Sequence, residues 1–456
     1  MPRKICRRWT DSVRGFLLIA ALAPFAAAHA GDWPAPLDSA IVQAQTRHAP
    51  LLLDFHAPWC YSCYYMAHNV FNGSEWAALE RRAVVVEIDV DAPEGAYWKD
   101  RLHVQGLPSY VVLNVQGAEQ GRIVGEQTRA DFYRQLEPML ARDDSFEALR
   151  EDVHGGGHQS LKAARKLLQA YYARGDADGA LSWLDSLPAA TRSALQADTK
   201  THLAIARVQL LRAAQTQDAQ QCASLAPAVL AGELGCERAY ELDRVMQCTA
   251  ALPIEQRRTL LAPQKPAMAH LLTSAVFAES TPSCADVRSE ILTAAELDET
   301  LGYPHAAAAL LDRAIDDTQR RLAVSTGRSH TLDLKKDRNL ADNLRAFLDH
   351  AGKTQTLDAL YPQLIEAYPD DYVYPYRFAK SLAARAHYAE ALPYLERALP
   401  KAYGVNRLDV AALEASTLVK LNRADEARKL VAETLKANGP WFPEKAAALK
   451  ASLTSN

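Results

Sequence analysis

Between Asp38 and Arg142 the spacing of apolar positions changes repeatedly. Short apolar runs predict strands over 51–56, 83–90, 110–115 and 122–125. Segments of helical period lie between and around them, over 38–47, from Cys60 onward, and over 74–82, 94–102 and 128–140. Ser74 and Thr128 are candidate N-caps, because a short hydroxyl side chain can accept from the free N–H groups of a first turn. The order is a βαβ unit followed by a hairpin and a helix, which one small sheet with helices on both faces satisfies.

At 154–158 the chain reads His-Gly-Gly-Gly-His. Three consecutive glycines maximise backbone freedom, so 146–160 is predicted to be a linker between an α/β domain over 31–145 and a second domain over 161–456. His154 and His158 read as solvated loop histidines. The second domain has no convincing strand pattern, and its apolar and small residues repeat weakly at about 34 residues, the period of a tetratricopeptide-type helix pair. Phe378, Ala379 and Leu382 mark a first helix, and Ala391, Leu395 and Ala398 a second; Ala415, Leu418, Ala427 and Val431 repeat the arrangement. Such a pair cannot cover its own apolar face, so an all-α solenoid of stacked pairs is expected. The region 190–285 fits the period poorly.

The N-terminus changes the picture of where this chain works. Arg3, Lys4, Arg7, Arg8 and Arg14 surround the start of an apolar run over 16–28 that closes on Ala28-His29-Ala30, the layout of a cleaved export signal over 1–30. The run of about 13 residues is short against the roughly 20 of a spanning helix. Losing 1–30 removes five Lys/Arg and one Asp, leaving 46 basic against 54 acidic residues, a net charge of −8. That balance argues against a nucleic-acid surface, and no later run approaches spanning length. A soluble periplasmic protein is expected, in a setting where disulfides persist. Six cysteines remain after the signal: the close pair Cys60/Cys63 and the spread set Cys222, Cys236, Cys248 and Cys284.

A helix starting just after Trp59 places Cys60 at its N-terminus, where free N–H groups and the helix dipole favour a thiolate. Cys60 is then the attacking sulfur, and Cys63, one turn on, the resolving one. Trp59 and Tyr61 would form an apolar rim for a substrate. A CxxC can also be half of a zinc site, but no second ligand pair lies within the domain. Haem attachment needs His directly after the second cysteine, and Tyr64 stands there. An inert structural disulfide is the other reading of the pair. No metal or other bound cofactor is required.

The stretch Leu51-Leu52-Leu53-Asp54-Phe55-His56-Ala57-Pro58-Trp59-Cys60-Tyr61-Ser62-Cys63 resembles the active-site strand and turn of the thioredoxin superfamily. Gly106-Leu107-Pro108-Ser109-Tyr110 resembles its cis-proline loop. Asn69-Val70-Phe71-Asn72-Gly73-Ser74 followed by Ile88-Asp89-Val90-Asp91 is similar to the C-terminal periplasmic domain of DsbD-type thiol:disulfide interchange proteins. The resemblance implies that Asp54 is a buried acid serving the resolving thiol, that Leu107 and Pro108 present backbone groups to a substrate peptide, and that the activity is thiol-disulfide exchange. The implied partners are proteins with cysteines or disulfides and a membrane or periplasmic electron donor. Tyr61-Ser62 replaces the familiar Gly-Pro, and Glu87 stands where the family carries a buried Lys. The alternative function is a non-enzymatic repeat-protein adaptor whose thioredoxin-like domain only binds.

Four cysteines in an exported helical domain read as staples. On one continuous helix Cys236 and Cys248 would lie about 18 Å apart, too far for a bridge. Two pairings remain: Cys222–Cys248 with Cys236–Cys284, which suits a hairpin turning near Gly232 and Gly235, or Cys222–Cys236 with Cys248–Cys284.

Overall fold

The computed structural model describes residues 37–141, 145–154, 157–278, 282–326 and 329–454, so the expected signal lies outside the described residues. Leu37–Arg47 (α1) leads into Leu51–His56 (β1), Tyr61–Asn69 (α2), Gly73–Arg82 (α3), Val84–Asp89 (β2), Pro93–Arg101 (α4), Ser109–Leu113 (β3), Glu119–Val124 (β4) and Arg129–Ala141 (α5). The sheet order is β2-β1-β3-β4, with β1 parallel to β2 and antiparallel to β3. Because strand side chains alternate, Leu51, Leu53 and Phe55 pack with α1 residues Leu37, Ala40 and Ala44, while Leu52 packs with Met66, Phe132 and Leu136 from α2 and α5. Asp54 shares the second face, opposite Glu87 on β2 and Tyr110 on β3.

Thr128 caps α5, its Oγ1 accepting from the Asp131 N–H at 3.2 Å. Ser74 does not cap α3: it lies in the first turn, behind Asn72, whose side chain makes no cap bond. The Asn72 amide donates instead to the His68 carbonyl, and its oxygen accepts from Arg129, which leaves the first turn uncapped.

The expected linker 146–160 carries helix on both sides of 155–156, over Phe146–His154 and Gly157–Ala173. Leu149 and Val153 of the first pack with Leu167, Leu168 and Tyr171 of the second, so apolar burial orders the helices on either side of 155–156. Helices then dominate to the C-terminus. Antiparallel pairs form at Arg338–His350 with Thr354–Ala367, Val373–Ala384 with Tyr388–Ala398, and Gly404–Lys420 with Ala424–Asn438. Gly352, Ala386 and Asn422 sit in the three turns with φ of 63°, 62° and 61°, so the same left-handed exit recurs at the repeat spacing.

Two features break the helical pattern. A two-stranded antiparallel hairpin joins Ala323–Thr326 to Ser329–Leu332, a strand signal the all-α expectation omits. Over 190–285, 3₁₀ turns at Gly235–Glu237 and Ala262–Gln264 and a π segment at Leu272–Val276 interrupt the helices, and so blur the period there. Among the described residues no helix is long and apolar enough to cross a membrane.

Candidate active site

β1 ends at His56, the chain turns through Ala57-Pro58-Trp59, and α2 starts at Tyr61, so Cys60 is the N-cap residue of α2. Its Sγ accepts from the Cys63 N–H at 3.1 Å, the bond that would hold negative charge on this sulfur once reduced. Cys60 and Cys63 are joined as a disulfide with Cα atoms 5.2 Å apart. Leu107–Pro108 is a cis peptide. Leu107 packs against the apolar cluster that contains Cys60. The loop is held by Ser109 Oγ, which donates to the Gly106 carbonyl at 2.7 Å, and by the Gly125 N–H, which donates to the Pro108 carbonyl at 2.8 Å.

Trp59, Cys60, Gly106 and Leu107 line one wall of a cleft of about 2070 Å³, whose opposite wall comes from the helical region. Cys60 is only 3% exposed, and what little it shows faces this cleft. Cys63 is half-buried. Access to the attacking sulfur is thus restricted by the helical region.

That restriction has named contacts. The Tyr61 hydroxyl meets the Asp286 carboxylate at 3.1 and 3.4 Å and Ser289 Oγ at 3.3 Å, and the Arg288 guanidinium stacks 3.6 Å from its ring centre. Burial, then the Asp286 charge, raises the phenol above its ordinary pKa, so it stays a hydrogen-bond donor. Asn339 Nδ2 donates to the Tyr61 carbonyl at 3.0 Å, and Arg377 Nη2 to the Trp59 carbonyl at 3.1 Å. The helical region therefore grips the backbone on both sides of Cys60. Arg338 stacks over Tyr64 at 4.1 Å.

Arg288 and Arg377 are positioned by Asp342, which is wholly buried and binds Arg288 at 2.8 Å, Arg345 at 2.9 Å and Arg377 at 2.6 Å. Burial alone would raise this carboxyl, but the three guanidinium groups outweigh it and hold the carboxyl well below its ordinary range. On the other side, the Trp59 indole N–H donates to Asp91 Oδ2 at 2.8 Å. Asp91 is pushed up to about 6, chiefly by burial. Its carbonyl accepts from the Val405 N–H at 3.1 Å, and Tyr403 donates to the neighbouring Asp89.

Asp54 is 8% exposed with Oδ1 unpartnered, and burial first, then Glu87, pushes it up to about 8. An acid with that affinity can hold or take a proton near neutral pH. Glu87 itself is exposed. Glu126, in the turn before α5, has no counterpart in the sequence reading. It is buried against Ser62 with Oε2 unpartnered, and burial, then Asp286, raises it well above its ordinary range. Asp286, Arg288, Asn339 and Arg377 were equally invisible, since nothing local to 280–380 marks residues that meet a loop near position 60.

The distal cysteines pair as Cys222–Cys248 and Cys236–Cys284. Cys236 lies in the 3₁₀ turn and Cys248 ends the Arg238–Cys248 helix.

Residues 37–140 match the family described as thioredoxin-like domain. The chain is 30% identical over 111 residues to the thiol:disulfide interchange protein DsbD of Klebsiella pneumoniae, covering 24% of this chain and 18% of that protein. It is 33% identical over 93 residues to the thiol:disulfide interchange protein TxlA of Synechococcus elongatus (20% of this chain, 47% of the relative), and 24% identical over 127 residues to the chloroplastic thioredoxin-like protein HCF164 of Arabidopsis thaliana (28% and 46%). The chain thus spans less than half the length of each of these relatives, and the matches cover between a fifth and just over a quarter of this chain. The sheet order, the CxxC at the start of α2 and the cis Leu107–Pro108 loop agree with that match: residues 37–140 of this chain are a thioredoxin-like domain.

Proposed function

We propose that this chain is an exported thiol-disulfide oxidoreductase that exchanges disulfides with protein cysteines through Cys60 and Cys63, acting as a reductase or isomerase in the periplasm. The observation that carries this reading is that Cys60, bonded to Cys63, and Leu107, whose peptide bond to Pro108 is cis, open on one cleft. The relatives named thiol:disulfide interchange proteins support the reaction type.

In the reducing direction, the Cys60 thiolate, held by the Cys63 N–H, attacks a client disulfide. A Cys60–client bond forms, and the client's second sulfur leaves as thiolate. Cys63 gives its proton to Asp54 and attacks Cys60, so the Cys60–Cys63 bond forms and the first client sulfur leaves. Two electrons have moved to the client, and a membrane or periplasmic donor must return them. Trp59, Leu107 and Pro108 bound the client segment, and Tyr61 exchanges Asp286 for that client. Helices between Phe146 and Arg244 supply most of the cleft's far wall and, with the helical repeats behind them, hold the client or partner.

The 3% exposure of Cys60 favours a second reading, a repeat-protein adaptor whose thioredoxin-like domain only binds. Insulin reduction by the full chain, with Cys60→Ser alongside, separates the two. Turnover is expected from the unaltered chain and its loss from the variant; equal turnover by both defeats the enzyme reading. The reduction potential of the pair then sets direction, near roughly −270 mV for a reductant and near roughly −120 mV for an oxidant.

A further inference from the structure

The two distal disulfides sit in different chemical surroundings. Cys222 is wholly buried among Ala226, Val229 and Leu242 and its partner Cys248 is half-buried, with no His, Asp or Glu among the described residues grouped against both sulfurs. The Cys236 and Cys284 sulfurs converge with a carboxylate oxygen of Glu290, all within 4.8 Å of one another, the one such set of three among the described residues. Glu290 is 2% exposed and its Oε2 has no hydrogen-bond partner. A buried carboxyl with an orphaned oxygen costs free energy unless it stays protonated or has work to do.

The same disulfide is tied to the CxxC turn. Asp286, two residues after Cys284, binds the hydroxyl of Tyr61, the residue next to Cys60. Tyr240, four residues after Cys236, donates to the same carboxylate at 2.8 Å. Leu234, Glu237, Tyr240 and Asp286 line the cleft onto which Cys60 opens. Cys236 is the more accessible sulfur of the two, and Cys284 is buried.

We propose that Cys236–Cys284 is a second exchangeable disulfide, which takes two electrons from the reduced Cys60/Cys63 pair across the cleft, with Glu290 supplying a proton to Cys284. This rests on the thiol-disulfide reading of Cys60 and Cys63. The Cys60 thiolate attacks Cys236 Sγ: the Cys60–Cys236 bond forms, the Cys236–Cys284 bond breaks, and Cys284 leaves as a thiolate that takes the Glu290 proton. Cys63 releases its proton and attacks Cys60. The Cys60–Cys63 bond forms, and Cys236 leaves and takes up the released proton. Cys60/Cys63 has been oxidised and Cys236/Cys284 reduced, with no other reactant.

Burial, then Asp286, pushes Glu290 up to about 8, against the opposing pull of Arg238 on the adjoining helix, so it carries a proton at neutral pH. Asp54 in the thioredoxin-like domain is likewise a buried acid with one oxygen unpartnered.

The test uses the full chain without denaturant. In dithiothreitol redox buffers, with alkylation and peptide mass spectrometry at each cysteine, Cys236–Cys284 is expected to open together with Cys60–Cys63 while Cys222–Cys248 stays closed. In a Cys63→Ala chain whose distal disulfides are intact, a Cys60–Cys236 cross-linked peptide is expected after acid trapping, forming at least about tenfold more slowly when Glu290→Gln is added. A closed Cys236–Cys284 bond after Cys60–Cys63 is fully reduced, with no cross-linked peptide, overturns the proposal. Insulin turnover would then persist, whereas failure of the underlying reading shows as equal turnover by the unaltered chain and Cys60→Ser.

Discussion

The Tyr61 hydroxyl lies 3.1 Å from Asp286 Oδ2, a contact between residues 225 apart in the sequence. It joins the residue after Cys60 to the N-cap of the Val287–Thr300 helix, where the same carboxylate also accepts from the Ser289 N–H at 3.0 Å and Ser289 Oγ at 2.7 Å. The acceptor is fixed before Tyr61 arrives, so the bond orders the CxxC turn rather than the helix.

Tyr61→Phe removes that bond and keeps the ring under Arg288. A hydrogen bond of about 1 kcal/mol net corresponds to about fivefold in a local opening equilibrium. Alkylation of reduced Cys60 by iodoacetamide is therefore expected to speed up about fivefold in the variant. Unchanged rates would show that the contact does not limit access to the sulfur.

Asp54 gives a signed pH dependence. Its folded carboxyl is pushed up to about 8 from an ordinary value of 3.8, so between those limits the folded state keeps a proton that the unfolded chain has lost. Stability from this group is complete below the ordinary value and falls as pH rises through the window, by about 1.4 kcal/mol per unit. Asp54→Asn should flatten the slope and be the more stable protein at pH 7.5. Urea unfolding at pH 5 and 7.5 measures both; parallel slopes for the two proteins contradict the assignment.

Cys222–Cys248 closes a sequence separation of 26 residues. On the chain-entropy account, opening a loop of that size costs about 3.5 kcal/mol. A Cys222→Ala, Cys248→Ala chain is expected to lose roughly that much, read as a lowered melting temperature, while insulin turnover at lower temperature is retained. An unchanged melt would show that this bridge does not limit stability.

How much of this was legible follows from how local each signal is. The four strands and five helices of 37–141 were readable because each period sits within a short window and β1, α2 and the Leu107–Pro108 loop carry their own markers. The C-terminal pairs were readable because the small and apolar residues of one pair, Ala379 and Leu382 against Ala391 and Leu395, recur at Ala415 and Leu418 against Ala427 and Val431. Over 146–160, counting glycines hid the pattern of Leu149 and Val153, which supplies the burial. The grip on Trp59 and Tyr61 was not legible at all. Arg288, Asn339 and Arg377 are ordinary helix-surface residues until folding stacks their helices and Asp342 draws the two arginines together.

Gly404 shows how the C-terminal pairs reach the site. It has φ of 53°, and a Cβ built there would lie 1.8 Å from the Asp91 carbonyl oxygen, where the Val405 N–H donates at 3.1 Å. Asp91 in turn accepts from Trp59. Gly352 has a similar φ of 63° but nothing within 4 Å of a built Cβ. Alanine at either position carries the left-handed penalty of roughly 1–2 kcal/mol. Only Gly404→Ala must also push the Gly404–Lys420 helix off the Asp91 loop, losing a backbone hydrogen bond of about 1 kcal/mol and freeing Asp91 and Trp59. Gly404→Ala is thus expected to unfold at lower urea than Gly352→Ala and to alkylate faster at reduced Cys60, while Gly352→Ala alkylates like the unaltered chain. Equal behaviour of the two variants would mean that this contact does not support the site, and that the Tyr61 side alone holds the CxxC turn.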